Sequence, residues 1–236
     1  GNLLAEGSRR AAEKIGRGAI KYAMQIKGQE LPMHEVRGKL GVGLGYAVSE
    51  TGADHITSTH DTTITSPEAV AYKGAHDVGI QEAIPARELG ERKAGQYALL
   101  ENWTSFGKVV GFCFFGPVPR CFVQVDEVIQ LIHHATGWDF SLEEALRIGE
   151  RATNLARLFN VREGFSRKDD TLPDRLFQPL ENGALQGIGI DRQAFDETLT
   201  ALYRFKGWDP VTAAPTPERL SWLGLDWAAG VVQAGV

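Results

Sequence analysis

The sequence predicts an all-α protein, a multihelical bundle, and three observations carry that expectation. Val, Ile and Thr never alternate with polar residues for long enough to make a strand. Apolar residues recur at helical spacing, first at Ala12, Ile15, Ala19, Tyr22, Ala23 and Ile26 and again through residues 86 to 106. Ser141-Leu-Glu-Glu144 is a capping box, in which the Ser hydroxyl and the Glu carboxylate each accept from the other residue's backbone N–H and so open a helix.

Taken in order, the first pattern begins at the start of the sequence with no apolar leader before it, as in a fragment. Gly28 is placed to end this helix, and Leu31-Pro32 enforces the stop, because a residue before proline is pushed out of the helical region. Gly38, Gly41, Gly43 and Gly45 follow closely. Their spacing is not that of a phosphate-binding loop, so they predict either tight helix packing or close approach to a flat cofactor, with packing favoured. His55, His60 and Asp61 stand in a polar run and form a weak metal-ligand pattern, since two ligands on a helix are normally four apart. His133 and His134 are neighbours on a helix, point in different directions and receive no role, and His34 and His76 lie outside any motif.

The stretch from Ser105 to Cys121 holds both cysteines among glycines, prolines and phenylalanines. Gly111 can release the chain from a helix, and Pro117 and Pro119 prevent a helix from continuing past Phe115. Cys113 therefore sits at an element junction, either as a buried thiol in an aromatic core or as a metal or cluster ligand. Beyond it, residues 125 to 136 read as a helix closed by Gly137. The capping-box helix presents Leu142, Ala145, Leu146, Ala152, Leu155, Ala156 and Phe159 as its apolar face and ends at Asn160 or Gly164. Of these, Leu142, Leu146, Leu155 and Phe159 are expected to be buried. Asp191 caps a helix through about Arg204, and Thr216-Pro217 opens a last short one.

Composition bounds the function. A chain of 236 residues with 43% hydrophobic content is long enough for one large domain or two closely packed ones. Two cysteines make no disulfide framework, so a reducing, cytoplasmic setting is expected. The longest nearly apolar run, Val109 to Pro119, is too short and too broken to cross a membrane. A net charge of -5 argues against a nucleic-acid binder, although residues 1 to 40 carry eight Lys/Arg against four Glu.

These pieces together resemble the C-terminal helical part of the tungsten-containing aldehyde:ferredoxin oxidoreductase family. The resemblance runs through Ala11-Ala-Glu-Lys-Ile-Gly16, Lys27-Gly-Gln-Glu-Leu-Pro32, Gly43-Leu-Gly-Tyr-Ala47 and Gly52-Ala-Asp-His55. It continues through Thr136-Gly-Trp-Asp139, Arg147-Ile-Gly-Glu-Arg151, Phe159-Asn-Val-Arg-Glu-Gly-Phe165 and Arg167-Lys-Asp-Asp-Thr-Leu-Pro173. It implies that residues 1–236 form the helical C-terminal domain, with residues 1–27 readable as the end of a preceding helical domain and the family's N-terminal β domain absent. The complete enzyme is then expected to hold a tungsten or molybdenum bis-pterin and a 4Fe-4S cluster, neither of them expected in this chain alone. Lys108-Val-Val-Gly111-Phe112-Cys113 stands where the family has Asp-x-x-Gly-Leu-Cys. Cys113 is thereby implied as the fourth cluster ligand, Lys108, Gly111 and Phe112 as pterin-side residues, and His55 as the catalytic histidine that moves protons. Lys108 reverses the charge of the family's pterin-binding aspartate. The implied reaction is oxidation of a small aldehyde to a carboxylic acid with electrons passed to a ferredoxin-type carrier.

A four-iron cluster needs four protein ligands and this sequence has two cysteines, so the chain alone is expected to be inactive and to need its N-terminal domain or subunit; homo-oligomerisation is compatible with all of this. Without those partners, residues 38 to 66 and 108 to 121 are expected to be an exposed, partly disordered face. Two alternatives differ in kind: a relative acting on another substrate such as an aromatic thioester, and a cofactor-less helical interaction module.

Overall fold

Helices joined by turns and by long connections make up the computed structural model, which describes residues 1–116 and 123–233. In chain order they are α1 (Asn2–Ala5), α2 (Ser8–Ile15), α3 (Leu40–Val48), α4 (Tyr72–Asp77), α5 (Glu91–Val110), α6 (Val125–Thr136), α7 (Leu142–Arg162), α8 (Arg192–Lys206), α9 (Pro217–Trp222) and α10 (Asp226–Gln233). The all-α class holds. The sheet among the described residues is a small hairpin, β1 (Gln25–Ile26) against β2 (Gln29–Glu30), with Gln25 opposite Glu30.

Local chemistry starts and stops the helices much as the sequence predicts. Ser141 Oγ accepts from Glu144 N at 3.2 Å, and the Glu144 carboxylate accepts from Ser141 N at 2.9 Å. Asp191 accepts from Ala194 N at 2.8 Å to open α8, and Thr216 accepts from Arg219 N at 3.2 Å to open α9. Gly137 closes α6 and Gly207 closes α8, each in the left-handed conformation that glycine adopts without steric cost.

Three expectations are corrected. The first helix does not reach Gly28: the chain leaves helical geometry at Gly16, Arg17 and Gly18, all with positive φ, and Gly28 instead turns the hairpin beside Lys27, whose φ is 52°. Next, residues 38 to 48 are not an exposed face, because every residue of α3 is buried. Its glycines face protein. A Cβ on Gly41 would lie 2.6 Å from the Asp61 carboxylate, and one on Gly45 would lie 2.9 Å from the Thr57 hydroxyl. This is the packing role. The Asp61 carboxylate accepts from Gly41 N at 2.6 Å and Val42 N at 3.1 Å, an anion seated on the positive end of α3, and it also pairs with the buried Lys93 at 2.9 Å.

The third correction concerns α7. Leu142, Leu146 and Leu155 are half-buried against apolar clusters, but Phe159 is 54% exposed under the guanidinium of Arg162. The inward face carries Ala145, Gly149, Glu150, Asn154, Arg157 and Leu158. Its polar members are all partnered: Asn154 accepts from Trp208 Nε1 at 3.0 Å, Glu150 pairs with Arg219 at 2.8 Å, and Arg157 pairs with Asp170 at 2.8 Å. Asp170 also pairs with Lys27 at 2.8 Å and accepts from Tyr203 Oη. Charged residues form the core here because each finds its partner there.

Helices α5 and α7 lie side by side at backbone distance. A Cβ on Gly149 would overlap the carbonyl of Asn102 in α5, so glycine is what allows the approach. Trp103, Phe106 and Ala145 then close an apolar cluster with Val125 and Val128 of α6. Gly149→Ala should therefore lower stability by about 1–3 kcal/mol, the usual cost of overpacking, although alanine is the better helix former by about 1 kcal/mol. Urea unfolding of the two proteins measures it, and an unchanged or raised midpoint would refute the tight approach.

Candidate functional site

Two segments distant in sequence meet at one side of the bundle: residues 52 to 60, after α3, and residues 107 to 115, at the end of α5. Gly111 terminates α5 with φ 83°, and its N–H reaches back to the carbonyls of Gly107 and Lys108. Phe112 N donates to Gly107 O at 2.8 Å, and the ring of Phe112 packs on the apolar cluster that holds Trp103 and Phe106. Anchoring Phe112 in this way leaves the next side chain outside. Cys113 is a free, exposed thiol, so the buried-thiol reading is overturned, and Gly116 N donates to its carbonyl at 2.9 Å to close a turn. Lys108 is exposed in the last turn of α5, where a cation suits the negative end of the helix. Cys121, Pro117 and Pro119 lie outside the described residues.

Residues 52 to 60 are held from below. Gly52, with φ 105°, packs against the carbonyl of Ile26 in the hairpin, and Ala53 is fully buried with its carbonyl accepting from Gln29 Nε2 at 3.2 Å. Their small size thus serves contact with the hairpin. Asp54 accepts from Ile56 N at 2.9 Å, which turns the chain at His55, and the His55 carbonyl accepts from His60 Nε2 at 2.8 Å.

Three imidazoles come together. The rings of His34 and His55 are 4.9 Å apart, those of His34 and His60 4.6 Å, and those of His55 and His60 5.9 Å. They line a cleft of about 460 Å³ with Thr63, Val70, Phe114 and Phe115. Phe114 also borders a smaller cavity of about 140 Å³ that is lined by Lys108, Phe112, Cys113 and Ile56, the residue after His55. Cys113 and His55 therefore belong to adjoining spaces with Phe114 between them.

Sequence reasoning missed His34 and Lys39. Lys39 Nζ lies 3.3 Å from His34 Nδ1 and 3.4 Å from His60 Nδ1. Neither residue belongs to a motif, and only the tertiary fold brings the turn at Pro32, where His34 N donates to Pro32 O at 2.7 Å, over residues 55 to 60. Asp61, a candidate ligand by spacing, is buried and fully engaged by α3 and Lys93. His133 and His134 are away from the cleft, and His133 Nδ1 lies 2.8 Å from the Trp138 carbonyl.

Residues 1–225 match the family described as "Aldehyde ferredoxin oxidoreductase, domains 2 & 3". The chain belongs to the aldehyde ferredoxin oxidoreductase family. It is 34% identical over 228 residues, 96% of its length, to the tungsten-containing aldehyde ferredoxin oxidoreductase of Pyrococcus horikoshii. It is 34% identical over 227 residues to the enzyme of that name from Pyrococcus furiosus. A further relative from Pyrococcus furiosus, 29% identical over 95% of the chain and matched over 32% of its own length, is an aliphatic sulfonate oxidoreductase, WOR-like subunit. The fold is shared with a chain of the active-site complex BamBC of benzoyl coenzyme A reductase, with a TM-score of 0.65 at 21% identity, over 98% of this chain and 37% of that one. The chain spans 34% of the length of the two aldehyde ferredoxin oxidoreductases.

For an aldehyde ferredoxin oxidoreductase family member, the donor set decides what these residues can hold. No three His, Cys, Asp or Glu side chains among the described residues are arranged to bind a metal ion. A four-iron cluster takes four thiolates, and Cys113, the one cysteine among the described residues, can supply at most one of them. No described helix is long and apolar enough to cross a membrane.

The histidine cleft carries a pH signature. Burial, then the Lys39 ammonium and then the neighbouring His60 and His55 push His34 down from 6.5 to about 4, and burial lowers His60 as well. With the folded value below the unfolded one, the unfolded chain binds more protons between about pH 4 and pH 6.5, and stability rises with pH across that window. Thermal melts of the chain should show this rise, and His34→Gln should flatten it. An equal slope in both proteins would refute the placement of His34.

Proposed function

We propose that this chain is the helical C-terminal part of a tungsten- or molybdenum-pterin, iron–sulfur oxidoreductase whose complete form oxidises aldehydes to carboxylic acids and passes two electrons to ferredoxin. The observation that carries the reading is the adjacency of an exposed thiolate donor, Cys113, and an imidazole, His55, across Phe114. The two Pyrococcus relatives bearing the aldehyde ferredoxin oxidoreductase name support the chemistry. When bound, the metallopterin and the cluster supply the redox chemistry.

This chain's own residues have narrower tasks. Cys113 is the single thiolate that it contributes to the cluster. Its exposure, next to the anchored Phe112, leaves the sulfur open to ligands supplied by the N-terminal domain or subunit. Oxidation of an aldehyde to an acid takes up one water and releases two electrons and two protons, so a titratable group is needed at the reacting carbon. His55 serves as that group, because an imidazole is acid and base near neutral pH. Gly111 gives the chain its exit from α5, and Phe112 and Phe114 wall the space beside Cys113.

Lys108 favours a second reading within the family. A cation stands on the pterin side where the resemblance expects a carboxylate, which suits an anionic substrate or cofactor group, and one relative of the chain acts on aliphatic sulfonates by its name. The relatives of higher identity carry the aldehyde oxidoreductase name.

Two variants of the complete, metal-loaded protein test the reading. Cys113→Ser should lower iron content and abolish electron transfer to ferredoxin, because a hydroxyl is a far poorer iron ligand than a thiolate. Unchanged iron content would remove Cys113 from the ligand set. His55→Asn should lower turnover by about 10²-fold or more with metal content unchanged, and near-normal turnover across the pH range would retire its proton-transfer role.

A further inference from the structure

Lys39 is a cation that the Asp61 carboxylate attracts only from beyond ion-pair distance. The nearby Asp61 carboxylate is already shared by Gly41 N, Val42 N and the buried Lys93, and among the described residues no carboxylate lies within ion-pair distance of Lys39 Nζ. Its polar contacts are instead two imidazole nitrogens, His34 Nδ1 at 3.3 Å and His60 Nδ1 at 3.4 Å. An ammonium has three donors and no acceptor, so both Nδ1 atoms accept from it and carry no proton. The neutral rings must then hold their protons on Nε2. An independent contact agrees: His60 Nε2 lies 2.8 Å from the His55 carbonyl, which only accepts, so that nitrogen is an N–H donor.

The three contacts form a directed chain from Lys39 through His60 to the backbone of His55, with His34 held in the same way beside it. We propose that Lys39 is the positioning residue of this cluster: its ammonium fixes His34 and His60 as neutral Nε2–H tautomers, leaving His55 as the one imidazole of the cluster that Lys39 does not hold. Protonating His34 or His60 would set a second cation within 3.5 Å of Lys39, and the Asp61 carboxylate that attracts both Lys39 and His60 is already paired with Lys93, whereas His55 has no polar contact with Lys39. The groups that face the cluster are Lys39 before α3, Asp61 and His60 after the 55–60 loop, Lys93 of α5 behind Asp61, and His34 and His55 themselves. The lowered values of His34 and His60 agree with this arrangement. The inference rests on the proton-transfer role of His55 given above, but its test does not pass through turnover.

Long-range proton–nitrogen correlation spectra of the chain labelled with ¹⁵N in histidine read each tautomer directly, with His34→Gln and His60→Gln assigning the signals. The wild-type chain at pH 7 should show His34 and His60 with a bare Nδ1 and a protonated Nε2, both rings neutral. In Lys39→Met the His34 midpoint should rise by about one pH unit or more, since a like charge at this distance shifts a pKa by about 1–3 units, and the Nδ1–H form should appear. Nδ1–H rings in the wild type, or doubly protonated His34 or His60 rings at pH 7, would overturn the proposal, and so would unchanged spectra in a folded Lys39→Met. The wild-type spectra decide the matter even where the variant does not fold. Failure of His55→Asn to slow the complete enzyme, with these tautomers observed, would instead overturn the role of His55 and leave the lock on its neighbours standing.

Discussion

The backbone approach of α5 to α7 at Gly149 governs where the rest of the molecule lies. Helix α5 is the column to which both halves of the site are fastened. From its buried side Lys93 holds Asp61, and through Asp61 the start of α3. One turn further on, Tyr97 and Glu101 engage Thr57 and Lys206, which ties the loop after α3 and the end of α8 to the same helix. Its C-terminal turn then delivers Gly111 to Phe115 alongside His55. The thiol thus sits at the end of α5, and the loop bearing the imidazole is tied to the same helix through Thr57 and Asp61.

Buried charges do much of this fastening. Asp61 with Lys93, Glu101 with Lys206, and Asp170 with Lys27 and Arg157 are nearly inaccessible to water. Each pair costs desolvation energy roughly comparable to what its attraction returns, so their value lies in geometry more than in net stability. An apolar contact slides by a residue at little cost, whereas an unpaired buried carboxylate is strongly penalised. The loop of residues 49 to 60 is fixed in this way at its far end, by Asp61 on Lys93.

What could be read from the sequence follows from how local each signal is. Ser141, Asp191, Thr216, Gly137 and Gly111 act on their own few residues, and the helix ends were legible from them. The class and the family were legible too, the first from periodicity and the second from extended resemblance. Phe159 shows the limit: apolar periodicity fixes the pitch of a helix, but Arg157, Asn154 and Glu150 could be recognised as inward only once Asp170, Trp208 and Arg219 were in place. Helix α3 was misread as a free face for a similar reason, because nothing near Gly41 announces a carboxylate twenty residues away. His34 and Lys39 were invisible since their partnership with residues 55 to 60 exists only across a turn.

The hairpin at Lys27 and Gly28 has a kinetic meaning. Lys27 closes onto Asp170, and Arg37 donates to the carbonyls of Arg175 and Gln178, which lie 138 and 141 residues further along the chain. Contacts of such sequence separation cost the closure of very long loops, so they form late and slow the search for the native state. During synthesis the first forty residues leave the ribosome long before their partners exist. Arg37 has Glu35 and Lys27 has the Ala47 and Ser49 carbonyls close by in the chain, but the hairpin beneath His55 gains its Asp170 contact only after that segment has emerged.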